Sequence, residues 1–163
     1  MLAGAYGEIR RIARAVVSRS GPVQLEPTEL ANEAVIRLIL SSTTFENQGH
    51  MLATAARALR QSMIDELRKS GAAKRLAPSA ITMALGSGQP VVSLELLDEA
   101  IRQLQTVSAE SARIVELRFM LGMTIDEAAQ AMAISPRTLK RKWAAARAWL
   151  HGNLRDRADG VTV

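Results

Sequence analysis

The dipeptide Ser135-Pro136 constrains the fold of this chain more than any other pair of residues. Serine is a preferred helix N-cap and proline fits the first helical position, so a helix begins there and does not continue from upstream. Downstream, Leu139, Trp143, Ala146 and Leu150 recur at spacings of four, three and four, which gathers them on one buried face. Upstream, Thr124 to about Met132 carries a short helical pattern, so the stretch from Thr124 to Leu150 reads as two helices around a tight turn. The turn falls at Ala133, where a left-handed backbone is expected and where many such units place glycine. An alanine there costs on the order of 1 kcal/mol.

The remaining faces of the second helix carry Arg137, Thr138, Lys140, Arg141, Lys142 and Arg147, with no acid between Ser135 and Leu150. A helix apolar on one side and basic elsewhere suits the major groove of DNA, where its cations neutralise phosphates and arginine grips the O6/N7 edge of guanine. A solvated basic face on an ordinary helical hairpin is the plain alternative. The capped turn, the short first helix and the absence of acids together favour nucleic acid.

The whole chain agrees with an all-α fold. Its 163 residues are 48% apolar but only 3% aromatic, which leaves Leu, Ile, Val, Ala and Met to fill the core. Alternating β-branched runs are almost absent. A formal charge of +5 and a pI near 10.4 favour a polyanionic partner without identifying it. No apolar run is long enough for a membrane span and no signal peptide precedes the first helix, so a cytoplasmic protein is expected. With no cysteine, neither a disulfide framework nor a Cys zinc site is possible. His50 and His151 lack ligand spacing and read as surface or helix-end residues. No metal or other cofactor is implied, and no nucleophile–base pair or Gly-rich phosphate loop suggests an enzyme.

Periodicity predicts helices over Leu2 to about Ser18, from Glu29 (after Glu26-Pro27-Thr28) to about Leu40, and from about Gly49 to Lys69, the last with Leu52, Ala55, Ala56, Leu59, Met63, Ile64 and Leu67 as its apolar stripe. Its second half turns basic through Arg57, Arg60, Arg68 and Lys69, followed by Lys74 and Arg75. Pro78, Gly86, Gly88 and Pro90 mark a boundary. Further helices are expected over Leu94–Gln105, Ala109–Met120, Ile125–Met132 and Pro136–Leu154. The reading is two small helical domains, 1–75 and 94–155, joined by a linker at 76–93 and followed by a frayed tail at 156–163.

Two separated blocks resemble one known family. The run Leu30-Ala-Asn-Glu-Ala-Val-Ile-Arg-Leu38, with Ala55-Ala-Arg-Ala-Leu-Arg-Gln-Ser-Met-Ile-Asp-Glu-Leu-Arg-Lys69, is similar to the second conserved region of bacterial RNA polymerase sigma factors. Val115-Glu-Leu-Arg-Phe119 with the terminal helix pair is similar to their fourth. The order resembles the extracytoplasmic-function class, which keeps only those two domains. The resemblance implies a non-enzymatic factor that binds core RNA polymerase and promoter DNA. Glu26, Glu29, Asn32, Glu33 and Arg37 would then dock on the polymerase, Arg57, Arg60, Arg68, Lys69, Lys74 and Arg75 would hold the −10 element, and the helix from Ser135 would read the −35 element.

Three departures accompany the resemblance. His50-Met51-Leu52 stands where relatives often have aromatics after the histidine, and base stacking there is worth ~1–3 kcal/mol. About twenty residues that relatives carry before the position of Tyr6 are not matched here. The linker has no acid between Glu66 and Glu95, and its Ile81, Met83 and Leu85 are apolar enough to pack the two domains together. In relatives the stretch matching Glu26-Pro27-Thr28-Glu29 is more acidic. A phosphate on Thr28 would restore that charge at a helix N-terminus. This points to a Ser/Thr kinase, with Thr43 and Thr44 as lesser acceptors, an anti-sigma protein as another possible regulator, and N-capping as the simpler role for Thr28. The rival readings are a stand-alone helix-turn-helix regulator that needs no polymerase and a helical module that binds only protein.

Overall fold

The structure, a computed structural model, describes residues 6–7, 9–11, 13–14, 26–41, 44–70 and 94–158. From residue 26 onward, six α-helices and one π-helical turn form these parts: α1 (Pro27–Leu40), α2 (Gln48–Ser70), α3 (Leu94–Val107), α4 (Ala109–Val115), the π turn (Glu116–Met120), α5 (Ile125–Met132) and α6 (Pro136–Ala158). No strand occurs among the described residues, so the fold is all-α. The expected linker and the residues after Ala158 lie outside them. The first predicted helix is described only in part, where its residues are helical and bury Ile9 and Ala13.

α1 starts with Pro27 at its first turn and Glu26 at the N-cap, and Glu26 makes no side-chain capping bond. Thr28 therefore sits inside the first turn and is not the cap. α1 packs along α2 with Leu30, Ala31, Ala34 and Leu38 buried. Tyr6 Oη donates to Asn32 Oδ1 at 2.6 Å, which ties the N-terminal segment to this pair.

Asn47 caps the start of α2: its Oδ1 accepts from the His50 N–H at 2.8 Å. His50 Nδ1 in turn accepts from the Glu46 N–H at 3.2 Å, and Phe45 stands edge-on to the imidazole at 5.4 Å. The reciprocal bonds satisfy N–H groups that a helix start otherwise leaves open. His50 is thus a helix-end residue, as its isolation in the sequence suggested.

α2 packs on α1 from one side and on α3, α4, α5 and the π turn from others. One apolar core consequently runs from Ile9 through Leu52, Leu59 and Met63 to Leu97, Leu117, Leu139 and Leu154. The predicted continuous helix Ala109–Met120 changes at Glu116 to π geometry, closed by the Leu121 N–H on Glu116 O at 3.2 Å. Nothing in the residue pattern announces this change. It arises where Glu116 must turn inward beneath α2.

The helix pair near the C-terminus follows the sequence closely. Thr124 and Glu127 form a capping box, with the Thr124 N–H on Glu127 Oε2 at 2.8 Å and the Glu127 N–H on Thr124 Oγ1 at 3.1 Å. Ala133 adopts φ 56°, ψ 40°, the left-handed turn that was anticipated. The Ile134 N–H reaches back to Ala129 O at 3.1 Å and closes the helix end. Ser135 Oγ accepts from the Thr138 N–H at 3.1 Å, which opens α6. Leu139, Trp143, Ala146, Leu150 and Leu154 are buried against α3, α4 and α5.

Ala133→Gly should stabilise the protein by about 1 kcal/mol, since it relieves the left-handed alanine, whereas Leu139→Ala should destabilise it by about 2–5 kcal/mol; urea denaturation measures both. Burial first, and then the Arg113 charge, hold the His50 imidazole below its ordinary pKa against an upward pull from Glu46. A base with a depressed pKa favours the fold when neutral. Its contribution is present above the ordinary imidazole value and is lost as pH falls through it toward the folded one. NMR titration should therefore show His50 protonating below the unfolded-chain imidazole.

Candidate nucleic-acid interface

α6 divides by face. Its inner side is the buried stripe, whereas Arg137, Lys140, Arg141 and Arg147 are exposed. Residues 137, 140, 141, 144, 147 and 148 follow helical spacing and form one outward surface. Ala144 and Ala148 on that surface are exposed and small, so the helix body can approach a groove wall closely. None of those four cations has an acidic partner among the described residues. Thr138 is half-buried, and its hydroxyl accepts from Ser135 Oγ at 2.8 Å.

Lys142 departs from its expected part. It is half-buried and its Nζ pairs with Glu110, which braces α6 against α4. A second brace was missed in the sequence. The Arg118 guanidinium lies 5.2 Å from the Trp143 ring centroid, a cation–π distance, and its Nη1 donates to Met123 O.

The cations expected to hold the −10 element separate into three groups. Arg57 is exposed on α2. Arg68 and Lys69 are exposed too, but Arg68 Nε pairs with Glu95 at 3.0 Å and Lys69 Nζ with Glu66 at 3.3 Å. Arg60 does not lie on the surface: it is 0% exposed. Its Nε donates to Asp98 Oδ1 at 2.8 Å, and its Nη1 lies 2.5 Å from both carboxylate oxygens of Glu116. In this arrangement it cannot touch DNA. Lys74 and Arg75 lie outside the described residues.

Arg102 pairs with the other oxygen of Asp98 at 3.0 Å, so two guanidinium groups face two carboxylates and the charges balance. Burial pushes the Glu116 carboxyl above the usual carboxylate range, and the Arg60 charge and hydrogen bonds pull it back only in part. The sequence did hold a signal for this network. Arg60 stands four residues after Ala56 and three before Met63, within the apolar stripe of its helix, where an unpaired cation would be costly.

On α1, Glu26 and Glu29 are exposed, and Asn32 is exposed while accepting from Tyr6. Glu33 and Arg37 face each other at 2.9 Å, and Arg37 also reaches Asp65 of α2 at 2.6 Å. The hydrogen bonds that Arg37 donates to Glu33 and Asp65 raise its pKa. Arg37 is therefore first a tie between α1 and α2. The expected docking set omitted Ile36, Ile39 and Leu40, which are 55%, 56% and 77% exposed and share one face of α1. Thr28 is half-buried, Thr44 is exposed, and Thr43 lies outside the described residues.

Among the described residues no helix is long and apolar enough to cross a membrane, and no group of three or more His, Cys, Asp or Glu is placed to hold a metal ion. A capped helix-turn-helix with a solvent-facing basic second helix defines a DNA-binding protein of the helix-turn-helix class. Residues 1–156 match the family described as ECF sigma factor, and the chain belongs to that family. It is accordingly a sigma factor, a DNA- and RNA-polymerase-binding factor of transcription initiation. No curated protein and no solved structure matches the chain.

If Arg137 or Arg141 reads a guanine, replacing it by Ala should cost ~1–3 kcal/mol of promoter affinity and relax specificity at one base pair. Arg147→Ala should instead weaken binding evenly across sequences and lower the salt slope by about one. Titrations of mutated duplexes at several salt concentrations separate the two patterns.

Proposed function

We propose that this ECF sigma factor docks on core RNA polymerase through α1 and directs it to promoters through two DNA-reading helices. α6 reads the −35 element with Arg137, Thr138, Lys140, Arg141 and Arg147. Arg57 and the basic residues from Arg68 to Arg75 hold the −10 element. The observation that carries this reading is the recognition helix. Its apolar face is sealed by α3, α4 and α5, while its outer cations have no acidic partner among the described residues. Such a surface has little internal use and suits a polyanion.

The exposed Ile36, Ile39 and Leu40, flanked by the polar residues of α1, support polymerase docking on that helix. An apolar cluster rimmed by charge is the pattern of a protein interface. Acting with core RNA polymerase, the protein works in the cytoplasm.

Phosphorylation of Thr28 by a Ser/Thr kinase strengthens that docking. Thr28 lies in the first turn of α1, whose N-cap Glu26 leaves the capping bond unmade. A phosphate there adds about −1.5 to −2 charges at the positive end of the helix dipole. Thr44 lies beyond the opposite end of α1, where a phosphate gains no such support.

Run-off transcription with purified core polymerase over a promoter library tests both parts, using wild type, Thr28→Glu and Thr28→Ala. Transcripts from one shared motif, strongest with Thr28→Glu, are expected. DNA binding without transcripts from any variant would overturn the polymerase-dependent reading. Equal polymerase affinity of the three proteins would remove Thr28 as the switch.

A further inference from the structure

A cavity of about 170 Å³ opens where α2 meets α3, α4 and the π turn. His50, Thr54 and Arg57 come to it from α2, Gln105 from α3, Arg113 from α4 and Glu116 from the π turn. Its volume is well below the roughly 300–1,000 Å³ of sites for drug-sized ligands. It admits a small ion and not a nucleoside.

The groups around it suit negative charge. Arg57 is exposed and makes no ion pair among the described residues. The Arg113 side chain is only 17% exposed and engages Glu46 through Nη1, at 3.0 Å. Two guanidinium groups on one small cavity repel each other, and an anion between them removes the repulsion. His50 adds a third donor. Its Nδ1 accepts from the Glu46 N–H at 3.2 Å, so the neutral ring carries its proton on Nε2. Thr54 Oγ1 donates to His50 O at 2.7 Å, which leaves the hydroxyl oxygen to accept a proton from a ligand. Glu116 is the one acid among these groups. Both of its oxygens lie 2.5 Å from Arg60 Nη1, so its charge is already answered.

We propose that this cavity binds a small phosphate oxyanion, inorganic phosphate or diphosphate, held by Arg57, Arg113 and the Nε2–H of His50. Thr54 accepts the proton that such an ion carries near neutral pH. Glu46 is the internal competitor for Arg113. Its side chain is 69% exposed, and an ion pair so open to water is weak enough for a more highly charged ion to replace it. The site stands apart from the proposed function. Taken with that reading, Arg57 is shared, and an oxyanion seated here withdraws it from the −10 strand.

Titrating inorganic phosphate and pyrophosphate into the whole chain at constant ionic strength, followed by calorimetry and by the His50 imidazole resonances, tests the site. One saturable event that moves the His50 signals is expected. Arg57→Gln and Arg113→Gln should each weaken it about tenfold. Arg155→Gln removes the same charge from an exposed position on α6 and should leave it unchanged. Glu46→Gln should tighten binding several-fold, a gain that a misfolded variant does not mimic. Sulfate, which brings no proton to Thr54, should bind more weakly than phosphate. ATP that bound more tightly than pyrophosphate would overturn the assignment to a free ion. No saturable binding of either ion, or equal losses in Arg113→Gln and Arg155→Gln, would overturn the site. Phosphate should also weaken promoter-DNA binding by the wild type beyond its ionic strength, and should not do so in Arg113→Gln. Ion binding without that competition would reject the −10 role of Arg57 and leave the oxyanion site standing.

Discussion

A guanidinium with no exposed surface stands where α2 meets α3 and the π turn. Taking Arg60 out of water demands compensation, and it comes from Asp98 on α3 and Glu116 on the π turn. Arg102, half in solvent, balances the second carboxylate charge. The network consequently fixes three elements at once. α3 has to present its acidic edge to α2, the segment after α4 has to turn its glutamate inward, and α2 must keep the register that places Arg60 between them. Apolar packing alone would tolerate sliding by a turn; a charged site with directional bonds does not.

Short-range rules made much of the architecture legible. The Ser135 cap and Pro136 are decided by groups within a few residues of one another, so α6 starts where expected. α1 instead starts at Pro27, ahead of the expected Glu29, which puts Thr28 inside its first turn. Ala133 was legible for the same reason: a tight reversal between two helices leaves little choice of backbone. What sequence distance hides was less accessible. Arg60 looked like one more cation in a basic half-helix because its partners lie 38 and 56 residues away. Lys142 looked free because Glu110 lies 32 residues earlier. Arg37 looked like a docking residue because Asp65 is on another helix. Each cation was rightly read as charged, and what its charge answers to depended on a fold not yet assembled.

The apolar exposures on α1 show the converse case. Ile36, Ile39 and Leu40 fit the same helical pattern as the buried Leu30, Ala34 and Leu38, and periodicity alone does not say which of two adjacent stripes faces α2. The structure chooses the stripe with more alanine for the inner face, where helices approach closely, and leaves the bulkier one outside. A helix with two apolar stripes, one of them exposed, has a face left over for another protein.

The π turn carries one consequence beyond positioning Glu116. Within five residues it holds Glu116, bound inward to Arg60, and Arg118, lying over Trp143 of the recognition helix. The buried ion cluster and the DNA-facing helix are thus linked through a single wide turn, with no flexible loop between them. A π turn accommodates one residue more than an α turn at the same rise, so it can revert to α geometry by a one-residue shift in hydrogen bonding. Such a shift would rotate both side chains together, in the manner of a gear tooth, and carry a change beneath α2 directly to the tilt of α6.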